Sequence, residues 1–191
     1  MLDAVKQEFC YGCSACATAC PRHSIQMKTN KEGFKFPIID KEKCIECGLC
    51  EKVCPVLQPK PNISSTVQKA YCVKHKNSSV LQTSTSGGFF TAISDAILAE
   101  KGIIYGAACD ENMVVKQCRA TNAYERNRMK GSKYVQSDTR NTYRNVICDL
   151  HDGLKVLYSG TACQIYGLLS FLNRKKVDIS NLYTIDVICH G

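Results

Sequence analysis

Over the last two thirds of the chain, hydrophobic and polar residues follow a mixed strand and helix pattern. Short runs rich in β-branched and aromatic residues predict strands at 70–75, 103–109, 113–120, 154–160 and 181–191. Apolar residues at helical spacing predict helices at 86–102, 138–153 and 161–174. Strands that alternate with helices are typical of an α/β layered domain.

The first 60 residues show no such alternation. The stretch GFKFPIID at 33–40 predicts one strand, and we expect a helix to begin after each of Pro21 and Pro55. A polar stretch with two prolines, QPKPNISS at 58–65, is typical of a linker. The sequence therefore predicts a small domain at 1–60, a linker at 61–68 and a larger domain at 69–191.

Two cysteine motifs with the same spacing lie in the small domain. CYGCSACATACP runs from Cys10 to Pro21, and CIECGLCEKVCP runs from Cys44 to Pro55. A shift of 34 positions superimposes every cysteine and the proline of the first motif on those of the second. Each motif has the spacing C-x2-C-x2-C-x3-C-P, which aims three thiols at one small inorganic cluster.

This spacing is typical of two-cluster bacterial ferredoxins, in which the fourth cysteine of each motif ligates the other cluster. The predicted ligands of cluster 1 are Cys10, Cys13, Cys16 and Cys54. The predicted ligands of cluster 2 are Cys44, Cys47, Cys50 and Cys20. Zinc is disfavoured because it commonly takes two C-x2-C pairs and does not need a third evenly spaced thiol or the C-P ending. Disulfides are disfavoured in a reducing compartment.

The net charge and the apolar segments of the chain indicate the compartment in which these thiols are expected. The formal net charge is +8 with all 14 cysteines counted neutral, and two oxidised cubanes with their thiolates would lower it to about +4. Residues 1–9 contain no apolar signal-peptide core, and no apolar run reaches the roughly 18 residues of a membrane span. We therefore expect a cytoplasmic protein that makes no membrane contact.

Three stretches of the larger domain have the composition of a cofactor site. TSTSGGFF at 83–90 places paired glycines at a predicted helix start, which suits either a phosphate or a plain helix cap. RNRMKGSKYVQSDTR at 126–140 is basic, which suits either a pyrophosphate or a solvated loop. Nucleic acid is a weaker alternative there, because Tyr134 is its single aromatic residue. YSGTACQIYGL at 158–168 forms a strand, a glycine turn and a helix.

The six remaining cysteines divide into two groups. Cys163 is expected near a helix N-terminus, where the pKa of a thiol falls, so it is either a reactive thiol or a small residue beside a cofactor. Cys189 lies at the end of the last predicted strand, where open α/β sheets bind ligands. The other four are expected to be buried small hydrophobic residues: Cys72, Cys109, Cys118 and Cys148.

Six stretches together resemble a known family. GCSACATACP, GFKFPIIDKEKCIECGLCEKVCP, TSGG, KGSKYVQSDT, YSGTACQIYGL and DVICHG are similar, in this order, to the family of iron–sulfur flavoproteins formed by the coenzyme F420 hydrogenase/dehydrogenase beta subunits. The resemblance covers nearly the whole chain. It implies two [4Fe-4S] clusters, an FAD, and electron transfer between them and a two-electron partner, which is a deazaflavin in some members.

The resemblance also implies a fold and a set of cofactor contacts. The expected fold is an α+β ferredoxin-like two-cluster domain followed by an incomplete α/β flavin-binding domain, because the family's flavin domain continues beyond the DVICHG motif. The residues that the resemblance implies for FAD binding are Ser86, Gly87, Gly88, Ser132, Lys133, Tyr134, Gly160, Thr161, Cys163 and Gln164.

Functions of different classes are open at this point. The resemblance implies an oxidoreductase that exchanges electrons with a redox partner protein or a small organic donor or acceptor. The alternative is a non-enzymatic ferredoxin-type electron carrier with an appended docking domain, and a third is a structural iron–sulfur module of a nucleic-acid protein. The first predicts bound flavin beside iron and sulfide, the second predicts iron and sulfide alone, and the third predicts salt-dependent nucleic-acid binding.

Overall fold

The computed structural model describes residues 5, 7–58, 68–139 and 141–189. Within these residues the helices are α1 (Ala15–Ala19), α2 (Leu49–Lys52), α3 (Ser78–Gln82), α4 (Phe89–Ala99), α5 (Ala123–Asn127), α6 (Thr142–His151) and α7 (Ala162–Arg174). The strands are β1 (Ile25–Thr29), β2 (Lys35–Ile39), β3 (Ile103–Cys109), β4 (Val115–Ala120), β5 (Val156–Thr161) and β6 (Leu182–Val187). Apart from residue 68, the predicted linker lies outside the described residues.

The cysteine-rich region is built from a β-hairpin and two short helices. Strands β1 and β2 pair antiparallel, from Ile25 opposite Ile39 to Thr29 opposite Lys35. The prediction of a helix after each proline is wrong, because α1 and α2 instead precede the fourth cysteine of their motifs. Each short helix is preceded by one residue in the left-handed conformation, Ser14 or Gly48, and this residue turns the chain between the second and third cysteine of its motif.

The larger region is a four-stranded sheet with helices on both faces. The strand order is β4-β3-β5-β6, in which β3, β5 and β6 are parallel and β4 is antiparallel at one edge. Side chains of β5 alternate between the two faces: Val156 and Tyr158 pack with α6 and α7, whereas Leu157 packs with α4. Because both faces are covered, the first three residues of the strand, Val156–Tyr158, are all buried and apolar or aromatic, as is usual in α/β sheets.

The cysteine-rich region and the sheet region share a hydrophobic core. Cys13, Ala15 and Val53 are buried in the same cluster as Leu168 and Phe171 of α7. Helix α1 contacts both α6 and α7. The first cysteine motif therefore packs directly on the helical layer that covers the sheet.

Several predicted elements differ from those observed. Residues 70–75 do not form a strand, and most of their side chains are exposed. The helix predicted at 86–102 is a 3-10 turn at Ser86–Gly88 followed by α4, because Gly87 and Gly88 are in the left-handed conformation with φ of +66° and +74°. The helix predicted from 138 begins at Thr142, because the backbone of Asp138 bridges to Lys116 of β4. The other predicted elements are confirmed within a few residues of their ends.

The prediction of four buried cysteines is wrong. Cys72 and Cys148 are exposed, and Cys109 and Cys118 are half-buried. Cys72 lies in the extended segment that forms no strand, and Cys148 lies on the face of α6 that points away from the core. Within the described ranges, no helix is both long and apolar enough to cross a lipid bilayer.

Candidate metal centres and the adjoining sheet edge

The eight motif cysteines surround two cavities. The first cavity is lined by Cys10, Cys13, Cys16 and Cys54. The second cavity is lined by Cys20, Cys44, Cys47 and Cys50. The fold thus brings together the two sets of four cysteines that the ferredoxin spacing predicts, in which the fourth cysteine of each motif joins the other set. Their role as ligands stays a prediction. Among the described residues, no group of three or more His, Cys, Asp or Glu side chains is close enough together to hold one single metal ion.

Three of the four thiols of the first cavity are shielded from water, and Cys10 is half-buried. Cys13, Cys16 and Cys54 are each 8% exposed. Burial raises the pKa of Cys13 to about 12 and raises the pKa of Cys16 as well. A group of buried thiols favours a bound cation, since metal ions stabilise the thiolate form that burial alone disfavours.

Three of the four thiols of the second cavity lie nearer to solvent, whereas Cys20 is buried. Cys47 is exposed, and Cys44 and Cys50 are half-buried. Burial opposes ionisation of Cys20, but the backbone N–H of Ser24, at 3.3 Å, and its hydroxyl, at 3.1 Å, hydrogen-bond to the sulfur and help to bring the pKa of Cys20 below its ordinary value. Hydrogen bonds to sulfur also adjust the potential of an iron–sulfur cluster. The first cavity has a counterpart in the N–H of Gly12, which donates to Cys10 Sγ at 3.5 Å.

The first cavity touches the helical layer through Tyr143. The hydroxyl group of this fully buried residue lies 3.0 Å from the carbonyl oxygen of Cys13 and 2.9 Å from that of Gln164, so it can donate to either. Helix α7 also lies close to the first motif, since a Cβ atom at Gly167 would lie 3.2 Å from the sulfur of Cys13. The peptide chain of the first motif is therefore linked by one side chain to the first turn of α7.

Gln136 makes a second link between the regions. Its side-chain oxygen accepts from the backbone N–H of Lys35 at 2.7 Å, and its side-chain nitrogen donates to the carbonyl oxygen of Tyr11 at 3.3 Å. Lys35 also forms an ion pair with Asp138 at 2.5 Å. A Cβ atom at Gly12 would collide with the Gln136 side chain, so the glycine permits this contact. The loop at 131–139 is thereby fastened to the first cysteine motif.

All three candidate cofactor stretches lie at one edge of the sheet. The parallel strands β3 and β5 both end at this edge. Helix α7 begins here, directly after β5, and α4, which precedes β3 in the chain, also begins here. The loop at 131–139 reaches the same edge through the bridge between Asp138 and Lys116, near the start of antiparallel β4. Open α/β sheets bind ligands beyond the carboxyl ends of their parallel strands.

Side-chain hydrogen bonds connect the three stretches. The ammonium group of Lys130 lies 3.5 Å from the hydroxyl of Thr83, which joins the basic loop to the turn before α4. The side-chain nitrogen of Gln164 donates to the hydroxyl of Ser137 at 2.9 Å, and its side-chain oxygen accepts from the side-chain nitrogen of Gln117 at 3.3 Å. Two buried oxygen atoms near this network, Gln117 Oε1 and Thr139 Oγ1, have no hydrogen-bond partner among the described residues. Buried polar atoms normally have partners, so these two atoms fit a ligand or water bound at the edge.

Some residues expected to contact a cofactor contact the protein itself. A Cβ atom at Gly87 would collide with the carbonyl oxygen of Val73, and one at Gly88 would lie 3.0 Å from the side chain of His75. The ammonium group of Lys133 donates to the carbonyl oxygens of residues 128, 130 and 131 at 3.3, 2.8 and 3.0 Å. Burial lowers the pKa of this lysine. Ser86 and Gly87 lie in the 3-10 turn, while Ser132 and Tyr134 are exposed, Tyr134 by 91%.

The residues expected at 160–164 do lie together at the start of α7. The backbone N–H of Thr161 donates to Gln164 at 3.2 Å, so that this helix start is capped by its own side chain. A Cβ atom at Gly160 would lie 2.9 Å from the same Gln164 oxygen. The prediction of a lowered pKa for Cys163 is wrong, because burial raises the pKa of this thiol and its hydrogen bond to Thr161 does not compensate.

Sequence reasoning missed the residues that link the two regions. Tyr143 is predicted only as a residue of the helix at 138–153, and Gln136 lies within the basic stretch at 126–140 without a role of its own. Lys130 is one of several basic residues in its loop. No spacing signal distinguishes these side chains, since their contacts join positions more than 40 residues apart.

Comparison with known proteins supports the iron–sulfur character of the first region. The family model described as a 4Fe-4S dicluster domain matches residues 9–57. An uncharacterized polyferredoxin-like protein of Methanocaldococcus jannaschii is 38% identical over 60 residues, which cover 27% of this chain and 36% of that protein. Ferredoxin Fdx2 of Sorangium cellulosum is 37% identical over 67 residues, which cover 31% of this chain and 61% of the ferredoxin.

One similarity extends over both regions. A component of the F(420)H(2) dehydrogenase of Methanosarcina mazei is 24% identical over 203 aligned positions, which cover 98% of this chain and 55% of that protein. The chain therefore spans little more than half the length of this relative. Taken with the fold, the comparisons show a ferredoxin-like 4Fe-4S dicluster domain at 9–57, followed by an α/β region with a mixed sheet.

Proposed function

We propose that this protein is an iron–sulfur flavoprotein oxidoreductase that connects single-electron transfer to two-electron chemistry on an organic partner. The observation that carries the proposal is the position of the first cavity, which adjoins the carboxyl edge of the sheet through Tyr143. An electron carrier alone has no need for a cluster site joined to such an edge. The full-chain similarity to a component of an F(420)H(2) dehydrogenase supports a deazaflavin as the organic partner.

In this proposal the motif cysteines hold the clusters in crossed sets. Cys10, Cys13, Cys16 and Cys54 would ligate cluster 1, and Cys44, Cys47, Cys50 and Cys20 would ligate cluster 2. The N–H groups of Gly12 and Ser24 donate to ligand sulfurs and stabilise their negative charge. The clusters supply reversible one-electron storage when they are bound.

FAD would bind at the carboxyl edge of the sheet. Ser86, Gly87 and Gly88 lie beside the start of α4 and, with Lys130, would face the phosphates. The proposed contacts to the rest of the cofactor are Ser132, Lys133, Tyr134, Gly160, Thr161, Cys163 and Gln164. Gln117 and Thr139 would each bring a buried oxygen that the described residues leave without a partner. FAD supplies hydride exchange, while these side chains orient it and exclude water.

A second candidate function rests on a specific observation. Val73 and His75 occupy the space that side chains at positions 87 and 88 would need. The Lys133 ammonium group is held by three carbonyl oxygens of its own loop. Both features build a rigid edge without any cofactor. They favour a ferredoxin-type electron carrier whose second region is a docking domain for a redox partner.

The two candidates differ in cofactor content. We would purify the protein without oxygen and measure iron, acid-labile sulfide and flavin per chain. About eight iron and eight sulfide with bound FAD supports the flavoprotein, whereas the same iron without flavin supports the carrier. Lys130→Ala should lower the FAD content and leave the iron unchanged, and Lys28→Ala, an exposed position on β1, is the matched control. Zinc in place of iron would contradict both candidates.

A further inference from the structure

Two cysteines outside the cluster motifs lie at neighbouring positions of the sheet edge. Strands β5 and β6 are parallel neighbours, and their last paired residues are Thr161 and Val187. Cys163 lies two positions after Thr161, and Cys189 lies two positions after Val187. The fold therefore carries both thiols to the same end of adjacent strands. Burial raises the pKa of Cys163, and electrostatic interaction with Cys189 raises that pKa further.

Cys163 also lies beside the first cavity. Its sulfur is 4.0 Å from the carbonyl oxygen of Tyr11, in the loop between the first two cysteines of the motif. It interacts electrostatically with Cys10 and Cys13, which both line that cavity. Cys189, in contrast, is exposed. The pair thus has one thiol next to the cavity and one thiol accessible from solvent.

We propose that Cys163 and Cys189 form a redox-active dithiol that exchanges electrons with the first cluster and acts on disulfide substrates. The inference rests on the proposed function in one respect, which is the placement of a cluster at Cys10, Cys13, Cys16 and Cys54. It does not depend on FAD.

The proposed chemistry balances with the clusters as electron donors. The Cys189 thiolate attacks a substrate disulfide, which releases one substrate thiolate and forms a mixed disulfide. Cys163, as a thiolate, then attacks the sulfur of Cys189, which forms the Cys163–Cys189 bond and releases the second thiolate. The internal disulfide is restored to two thiols by two protons and two electrons, which clusters held by the two sets of motif cysteines would supply one at a time.

The division of roles follows from exposure. An attacking thiol must reach its substrate, and Cys189 is the exposed member of the pair. The internal disulfide must lie near the electron source, and Cys163 is the member beside the first cavity. The hydroxyl of Thr161, 3.2 Å from the sulfur of Cys163, is placed to stabilise this thiol as it ionises.

The test is the number of electrons that the whole iron-loaded protein accepts. Protein oxidised with diamide, which joins paired thiols and leaves no mixed disulfide on a lone thiol, is freed of excess reagent and titrated without oxygen with a low-potential reductant. The wild type should accept about two more electrons per chain than Cys189→Ser. Cys148→Ser, an exposed cysteine of α6, is the matched control and should behave as the wild type. Flavin adds the same electrons to every variant, so it cancels in the difference.

Peptide mapping gives an independent readout. After alkylation and digestion, the oxidised wild type should yield a peptide pair joined through Cys163 and Cys189. Equal electron uptake in wild type and Cys189→Ser, or a disulfide that joins other cysteines, would overturn the dithiol while the cluster proposal stands. Loss of iron in Cys163→Ser would make Cys163 a cluster ligand and would also overturn it. A wild-type protein without iron would overturn the proposed function and the dithiol together.

Discussion

Helices α6 and α7 pack against the cysteine motif that provides most of the first cavity, whereas the second cavity has a cysteine exposed to solvent. Tyr143 and Gly167 contact the first motif directly. At the second cavity Cys47 is exposed, and its neighbour Ile45 is 58% exposed. Two motifs with the same spacing therefore occupy different environments, because α7 contacts the first motif at Cys13 and Ala15 but contacts the second motif near its end, at Lys52 and Val53. In the proposed function, the second cavity is accordingly the one open to a redox partner, and the first is the one beside the sheet edge.

The largest expected effect comes from filling the contact between α7 and the first motif. Gly167→Leu places a large side chain where a Cβ atom alone would lie 3.1 Å from Ala15 and 3.2 Å from the Cys13 sulfur. We expect about half of the iron to be lost, with cluster 2 retained. Iron analysis and electron paramagnetic resonance of the reduced protein measure this.

The matched control for this change is Asn173→Leu, at an exposed position of the same helix. Replacing glycine inside a helix normally gains about 1 kcal/mol of helix stability, so a loss at position 167 must come from the packing contact. Equal loss of both clusters would contradict the proposed asymmetry of the two cavities.

The next largest effect should be confined to the sheet region. Asp149 is buried and accepts hydrogen bonds from Tyr105 at 2.5 Å and from the guanidinium group of Arg119 at 2.6 and 3.0 Å. Asp149→Asn should lower the free energy of unfolding by about 2 kcal/mol, because charged hydrogen bonds are weakened. The iron content should not change, since Asp149 contacts neither cavity.

Chemical denaturation and iron analysis test this prediction together. Asp152→Asn, an exposed position one turn along the chain, is the control and should change the unfolding free energy little. A loss of iron in Asp149→Asn under native conditions would show that the sheet region and the cavities cannot be separated.

A smaller effect is expected from removing the hydroxyl of Tyr143. Tyr143→Phe takes away the group that links Cys13 to Gln164, which should cost about 1 kcal/mol of stability and shift the midpoint potential of cluster 1 but not of cluster 2. Tyr158→Phe removes an equally buried hydroxyl, which lies 3.0 Å from Thr142, and should leave both potentials unchanged. A redox titration followed by electron paramagnetic resonance distinguishes the two, and shifts of equal size in both variants would reject the role of Tyr143.

The smallest effect is a difference in thiol ionisation in the metal-free protein. The pKa of Cys13 is raised to about 12, so its contribution to stability is complete below the ordinary thiol pKa of about 8.5 and is lost as the pH rises towards 12. The pKa of Cys20 is lowered, so its contribution has the opposite sign and is lost as the pH falls through the folded-state pKa. Alkylation with iodoacetamide at increasing pH should modify Cys20 at a lower midpoint than Cys13. The reverse order, read by peptide mass spectrometry, would contradict the assignment of environments.

Local signals in the sequence were sufficient for most of the architecture. The strand of 103–109 has the predicted limits, and the alternation of strands and helices predicts the layered sheet, because burial on both faces requires continuous apolar strands. The helix predicted from residue 86 begins too early, because paired glycines suit both a helix start and the left-handed turn that Gly87 and Gly88 form. The apolar run at 70–75 lacks a neighbouring strand, and propensity alone does not reveal that.

The candidate site was only partly predictable for a different reason. Cysteine spacing is local, so the two sets of four follow from the motifs themselves. The contacts of Gln136 with Tyr11 and of Tyr143 with Cys13 join residues 125 and 130 positions apart. Such contacts depend on how two regions dock, and a single sequence contains no periodic signal for docking.

The packing of α7 against the first cysteine motif has a consequence for synthesis of the protein. The four cysteines of the first cavity leave the ribosome by residue 54, but the α7 residues that pack against Cys13, as far as Phe171, follow more than a hundred residues later. At synthesis rates of about 5–20 residues per second, the growing chain would hold these thiols without α7 for roughly 10 s. Cofactor insertion machinery would have that interval to reach the inner site, whereas the outer site stays within reach after translation ends.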